Sequence, residues 1–175
     1  MKKKILIDAS NLKSTGGIVH LNGILKAYKN NEFQKISILI NKKAYKNLEI
    51  KKFKIKPTFI FSKAFEKNFI ISFLWQICFL NKFLKKNQFS HFVSLNGYVF
   101  TNFKKTVLFS QNALPFIGHS DKRLVNVKLY LQKKFNFICI KKFKNVIFVS
   151  KFQKKIFLNK FRKFRLYSEV IYHGV

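Results

Sequence analysis

Acidic side chains are almost missing from this chain. Six Asp and Glu stand against 36 Lys and Arg in 175 residues, a formal net charge of +30. A field so one-sided attracts phosphate-rich partners: nucleic acid, anionic lipid headgroups or nucleotide substrates. Lys, Phe, Asn and Ile are also the residues of A- and T-rich codons, and the chain is crowded with all four, including 23 Phe. Codon composition therefore accounts for part of the cation excess. It does not account for the shortage of acids.

Cysteine is scarce as well. Cys78 and Cys139 lie far apart in apolar runs, with no CxxC or Cys/His grouping. They read as two buried, reduced core thiols of a cytoplasmic protein. Long hydrophobic runs are missing too. The longest, Phe69 to Leu80, is interrupted by Ser72 and Gln76 and falls short of the ~20 residues that a membrane-spanning helix needs. Met1-Lys2-Lys3-Lys4 has the charge of a leader, but only Ile5-Leu6-Ile7 follows before Asp8, too short for the apolar part of a signal peptide. There is no GxGxxG, nucleophile elbow, Ser/His/Asp order, metal-ligand spacing, internal repeat or low-complexity linker. No nucleophile and no metal are expected.

What is present is a chain 48% hydrophobic, long enough for one domain with its own core. Short β-rich runs alternate with longer helical patterns, which predicts an α/β fold: a Rossmann-like parallel sheet flanked by helices. Strands are expected at Ile5–Ile7, Ile36–Ile40, His91–Ser94, Thr106–Phe109, Val146–Val149 and Val170–Tyr172. A weaker one, around Pro57, covers Phe53–Ile55 and Thr58–Phe61. Helices are expected from about Ile18 to Lys29, Lys43 to Leu48, Ala64 to Lys86 and Lys122 to Lys142. The last is predicted to bury Leu124, Val127, Leu131, Phe135 and Ile138. In the Ala64–Lys86 helix, Phe65, Phe69, Phe73, Ile77, Leu80 and Leu84 form one apolar stripe, while Ile71, Trp75 and Phe79 make the other side apolar too. That helix is either covered on both sides or meets lipid. Ser150 followed by Gln153 reads as a capping box opening one more helix.

Ligands of an open parallel sheet bind beyond the carboxyl ends of its strands, where the strand order reverses. Those ends carry Asp8-Ala9-Ser10, Ser94-Leu95-Asn96-Gly97, Ser110-Gln111-Asn112 and Ser150-Lys151, a polar rim on an apolar sheet. Asp8 fits either a ligand-orienting carboxylate or a loop cap. Gly16-Gly17 would let the backbone approach an anion such as a diphosphate at a helix start; a plain loop is the bland alternative. His20 suits packing as well as acceptor contact. His119-Ser120-Asp121 most simply caps the helix that follows, with His119 as the catalytic candidate. His173 reads as structural, and Lys151 and Arg123 as phosphate-binding cations.

Together these segments resemble a known family. Ile5–Asn11, Gly16-Gly17 with His20 a turn later, Ser110–Phe116 with its Asn112-Ala113-Leu114-Pro115-Phe116 element, Asn145–Phe152 and Val170–Val175 look like the N-terminal, acceptor-side domain of a GT-B glycosyltransferase of the family-4 (group 1) type. The resemblance covers essentially the whole chain, up to a hinge. It implies one domain over residues 1–175, with the donor-binding domain outside this chain. It also implies transfer of a sugar from a nucleotide-sugar co-substrate to a glycan or lipid-linked acceptor, as in cell-envelope polysaccharide synthesis. The implied diphosphate and acceptor positions are Gly16, Gly17, His20, Asn112, Pro115, Phe116 and Lys151, with no metal or other cofactor and retention of anomeric configuration. Catalysis by this chain alone is not expected, because the paired glutamates of the donor half have no counterpart in it.

The segment Lys151–Arg165 interleaves seven cations with Phe152, Phe157, Phe161 and Phe164. A solvated helix face is one reading; docking on an anionic membrane surface is the sharper one, and would place the protein peripherally at the inner face of a membrane. A nucleic-acid-binding module is the competing class, allowed by charge and aromatics. It is disfavoured because no RNP-type strand, zinc spacing or helix-turn-helix is present and most Phe fall on core-facing positions. An inactive truncated remnant is the third.

Overall fold

Seven short apolar segments form the sheet in a computed structural model that describes residues 3–12, 15–28, 33–66, 69–111, 114–117, 123–160 and 166–172. The strands are β1 (Lys3–Ala9), β2 (Phe33–Ile40), β3 (Thr58–Ile60), β4 (His91–Ser94), β5 (Thr106–Ser110), β6 (Asn145–Phe148) and β7 (Tyr167–Val170). All neighbours are parallel, in the order β3-β2-β1-β4-β5-β6-β7. The chain steps outward from β1 to β3, crosses back to pair β4 with the other side of β1, and then continues to β7. The fold is the expected Rossmann-like α/β sheet flanked by helices.

Strand periodicity divides the core in two. Ile7 and Ala9 of β1 and Ile36, Ile38 and Ile40 of β2 face α1 (Thr15–Ala27) and α2 (Lys42–Lys46), where they meet Ile18, Leu21, Leu25 and Ala44. Leu6, Leu39, Phe92, Leu108, Val146 and Phe148 face the other way. That side is covered by α3 (Lys63–Glu66), α4 (Phe69–Trp75), α5 (Asn81–Lys86), α6 (Leu114–Ile117), α7 (Arg123–Phe143) and α8 (Lys151–Lys160). Ser150 caps α8, its Oγ accepting from Gln153 N at 3.1 Å, while Gln153 Oε1 accepts from Val149 N at 3.4 Å.

Several expectations need correction. Only Thr58–Ile60 of the third strand pairs, and it joins β2. Phe53–Ile55 stays out of the ladder, after a 3₁₀ turn at Ile50–Lys52, and Pro57 has no N–H to extend the ladder backwards. The glycine pair lies within the first turn of α1 rather than ahead of it. Cys139 is buried and burial pushes its thiol up to about 11, but Cys78 is exposed.

Cys78 lies in a π-helical turn, Gln76–Leu80, that joins α4 to α5. The buried positions here are Ser72, Gln76, Leu80 and Leu84, each four residues after the last. An α-helix would drift by about 40° at each such step, and the wider i→i+5 turn takes up that drift. Ile77, Cys78 and Phe79 are thereby left on the outside.

The buried side of α7 also differs from the expected one. Asn136, Cys139, Ile140 and Phe143 face the sheet, whereas Val127, Leu131 and Ile138 are exposed. Both sides of α7 carry apolar residues, so periodicity alone could not choose between them. Among the described residues, no helix is long and apolar enough to cross a membrane.

Candidate functional site at the sheet's carboxyl edge

The strand order reverses between β1 and β4, the point at which open parallel sheets place their ligands. Asp8, at the end of β1, is 1% exposed and organises this point. Its Oδ1 accepts from Ser10 N at 3.0 Å and Ser10 Oγ at 2.6 Å. Its Oδ2 accepts from Gln76 Nε2 at 3.2 Å and Asn96 Nδ2 at 3.3 Å. All four donors are neutral. Burial pushes the Asp8 carboxyl above its ordinary range, and the hydrogen bonds from Ser10 and Asn96 pull partly against that.

Each strand end contributes to the same polar layer. After β2, Asn41 Nδ2 donates to the carbonyls of Ser10 and Leu12 in the loop after β1 at 3.0 Å each, and its Oδ1 caps α2 through Ala44 N. After β4, Ser94 Oγ donates to the Tyr98 carbonyl at 3.2 Å across a turn in which Gly97 has φ +76°. A residue with a Cβ at 97 would be strained and would meet Asn136 Oδ1 at 3.1 Å. After β5, Gln153 Nε2 donates to Ser110 Oγ at 3.1 Å. Gln111 follows, its buried amide nitrogen without a hydrogen-bond partner.

Two residues of this layer, Ser72 and Gln76, are the polar interruptions of the apolar run in α4 and its π turn. Ser72 Oγ donates to Asn11 Oδ1 at 3.2 Å, and Gln76 holds Asp8. Their i, i+4 spacing on one helix side was the sequence signal for a role at this edge, hidden because in sequence they register only as breaks in an apolar run.

The residues singled out from sequence fare unevenly. Gly17 is buried and Gly16 exposed, both in the first turn of α1. His20 is buried on α1 with its ring 5.1 Å from that of Phe109. Phe116 is buried, edge-on to Phe157 at 5.0 Å, so its side chain serves the core. Pro115 lies in α6, and Lys151 is the exposed first residue of α8. Asn112, His119 and His173 lie outside the described residues, and the side chain of Arg123 does too. No group of His, Cys, Asp and Glu that could hold a metal ion occurs among the described residues.

A cavity of about 570 Å³ lies on the β2 side of this edge. Leu12, Ile18, Asn41 and Phe65 line it together with Lys42, Lys43, Lys46 and one acid, Glu66, whose carboxylate lies 3.9 Å from Lys42 Nζ. The edge therefore has two features: a layer of amides and hydroxyls packed around a buried carboxylate, and a mainly cationic hollow near the start of α1. Compared with protein-family models, curated proteins and solved structures, the chain matches none.

Proposed function

We propose that this chain is the acceptor-side part of a GT-B glycosyltransferase, moving a sugar from a nucleotide-sugar donor to a glycan or lipid-linked acceptor. The observation that carries the reading is the neutral hydrogen-bonding layer around Asp8 at the reversal of strand order. Sugar hydroxyls need paired donors and acceptors at fixed positions. The amides of the half-buried Asn11, Asn96 and Gln111 offer such groups on an edge held rigid by the buried Ser10, Gln76 and Ser110. The lysine-lined hollow beside the first turn of α1 suits the negative charge of a diphosphate, helped by the helix dipole. Catalysis of this kind works by positioning and by electrostatic stabilisation of the leaving group. The donor half belongs to a domain outside this sequence in this reading.

A nucleic-acid-binding module is the second reading, and the charge of +30 favours it. Chemical-shift perturbation on the labelled chain separates the two. Titration with soluble oligosaccharides and nucleotide sugars should shift the amides of Ser10, Asn11, Asn96, Gly97 and Gln111 saturably, and the glycan-induced shifts should survive high salt. Shifts confined to lysine-bearing helices, produced by single-stranded RNA and erased by salt, would support the second reading. Silence toward every glycan and nucleotide sugar would remove the first.

A further inference from the structure

The outward side of α7 has no described cover, and it is apolar where a solvated helix would be polar. Val127, Tyr130, Leu131 and Ile138 lie at three-, four- and seven-residue steps, and each is 45–55% exposed. Lys133, Lys134 and Lys141 are exposed beside them, and Lys134 Nζ sits 4.8 Å from the centre of the Tyr130 ring. On the neighbouring helix, which meets α7 through stacked Phe73 and Phe135 rings 5.7 Å apart, Leu74, Ile77 and Phe79 are exposed as well. Both helices cover the same side of the sheet, so one flank of the protein displays aliphatic and aromatic groups edged with cations.

We infer that this flank docks on an anionic lipid bilayer, with the α7 stripe at the level of the headgroups and its lysines on lipid phosphates. Charge complementarity selects the occupant. A second copy of the chain would bring another +30 against the first, and like charge opposes that contact. Nucleic acid satisfies the lysines but gives Val127, Leu131 and Ile138 nothing apolar to enter. An anionic bilayer satisfies both, since aliphatic side chains enter the headgroup boundary while lysine stems reach back to phosphate.

This location differs from the Lys151–Arg165 segment that the sequence suggested. On α8, Phe157 is fully buried and Gln153 is tied to Ser110, which leaves Phe152 as its exposed aromatic, while Phe161 to Arg165 of that segment lie outside the described residues. The inference stands apart from the sugar-transfer reading, because it needs only the surface of α7.

Vesicle co-sedimentation of the full chain tests it. Phosphatidylglycerol-containing vesicles should retain the protein and pure phosphatidylcholine vesicles should not. The double variant Leu131→Ser/Ile138→Ser keeps the net charge and touches no core residue, so it should fold as the parent does and bind phosphatidylglycerol vesicles at least ten-fold more weakly. Lys43→Glu, on the opposite side of the sheet, should cost less than three-fold. Binding of the double variant equal to the parent's would reduce the attraction to bulk charge and overturn the inference. So would absence of parental binding, or a parental dimer that the double variant dissolves.

Discussion

The two sides of the sheet solve the same packing problem with different residues. Against α1 and α2 the core is mainly aliphatic, built on Ile7, Leu21, Leu25, Ile36, Ile38 and Ile40. The outer side of α1 carries Thr15, Gly16, Val19, Gly23 and Ala27, with Lys26 as the one cation of the helix. The opposite core is aromatic. Phe65 meets Trp75 and Trp75 meets Phe83; Phe157 sits between Phe116 and Phe148, with ring centres about 5 Å away on either side. Its covering helices expose aliphatic residues outward, and α7 alone carries six cations. Surplus apolar surface and many of the cations thus lie together on one flank, whereas on the other side Lys42, Lys43 and Lys46 ring the hollow beside α2. Composition reports both surpluses but not that they share a place.

The largest test of this contrast removes a ring. Phe157→Ala deletes a fully buried side chain that touches two other rings, and should lower unfolding free energy by about 4 kcal/mol, measured by urea denaturation. Leu25→Ala on the aliphatic side should cost about 3 kcal/mol. A reversed order would mean that the aromatic layer tolerates repacking and that the contrast is one of composition only.

At the carboxyl edge, between the two cores, Asp8→Leu leaves the Ser10, Gln76 and Asn96 donors without their acceptor and should cost about 2 kcal/mol. The parent should show a pH signature there. Because burial raises the folded-state value of Asp8, its contribution is fully present below the ordinary carboxylate range. It is lost as pH rises through the folded value, since the folded state then holds a proton that the unfolded chain has released. Asp8→Asn should flatten that part of the stability–pH curve; an unchanged slope would place its origin elsewhere.

Gly97→Ala should cost about 1 kcal/mol, from positive φ and from the contact with Asn136. Gly16→Ala is the smallest and of opposite sign. A Cβ there meets nothing within 4 Å, and helix propensity predicts a gain of about 0.5 kcal/mol in thermal unfolding. A loss would mean that this turn of α1 is conformationally special, as its proposed role at a diphosphate would allow.

Much of the architecture was legible beforehand, and the reasons are local. Ile36–Ile40 is buried on both faces and so reads as an apolar run broken only by Ser37. Ser150 and Gln153 are three residues apart, so their capping pattern is visible without knowing the fold. The Ala64–Lys86 helix was legible over Phe69–Lys86 but not in phase, because the π turn resets which residues face inward. The site was legible as a set of strand ends. Ser72 and Gln76 were not seen as part of it, because their partners are distant in the chain.

The sequence by itself determined the order of the main strands and helices, the α/β class and the Ser150 cap, since periodicity and hydrogen bonding over three or four residues decide those. The cap expected at Ser120 or Asp121 lies outside the described residues. Only the tertiary structure decided which side of α7 turns outward, that β4 lies beside β1, and that Gln76 and Asn96 reach Asp8 across 68 and 88 residues. Such contacts compete with many others of equal local merit, and the sheet, by fixing which elements are neighbours, selects among them.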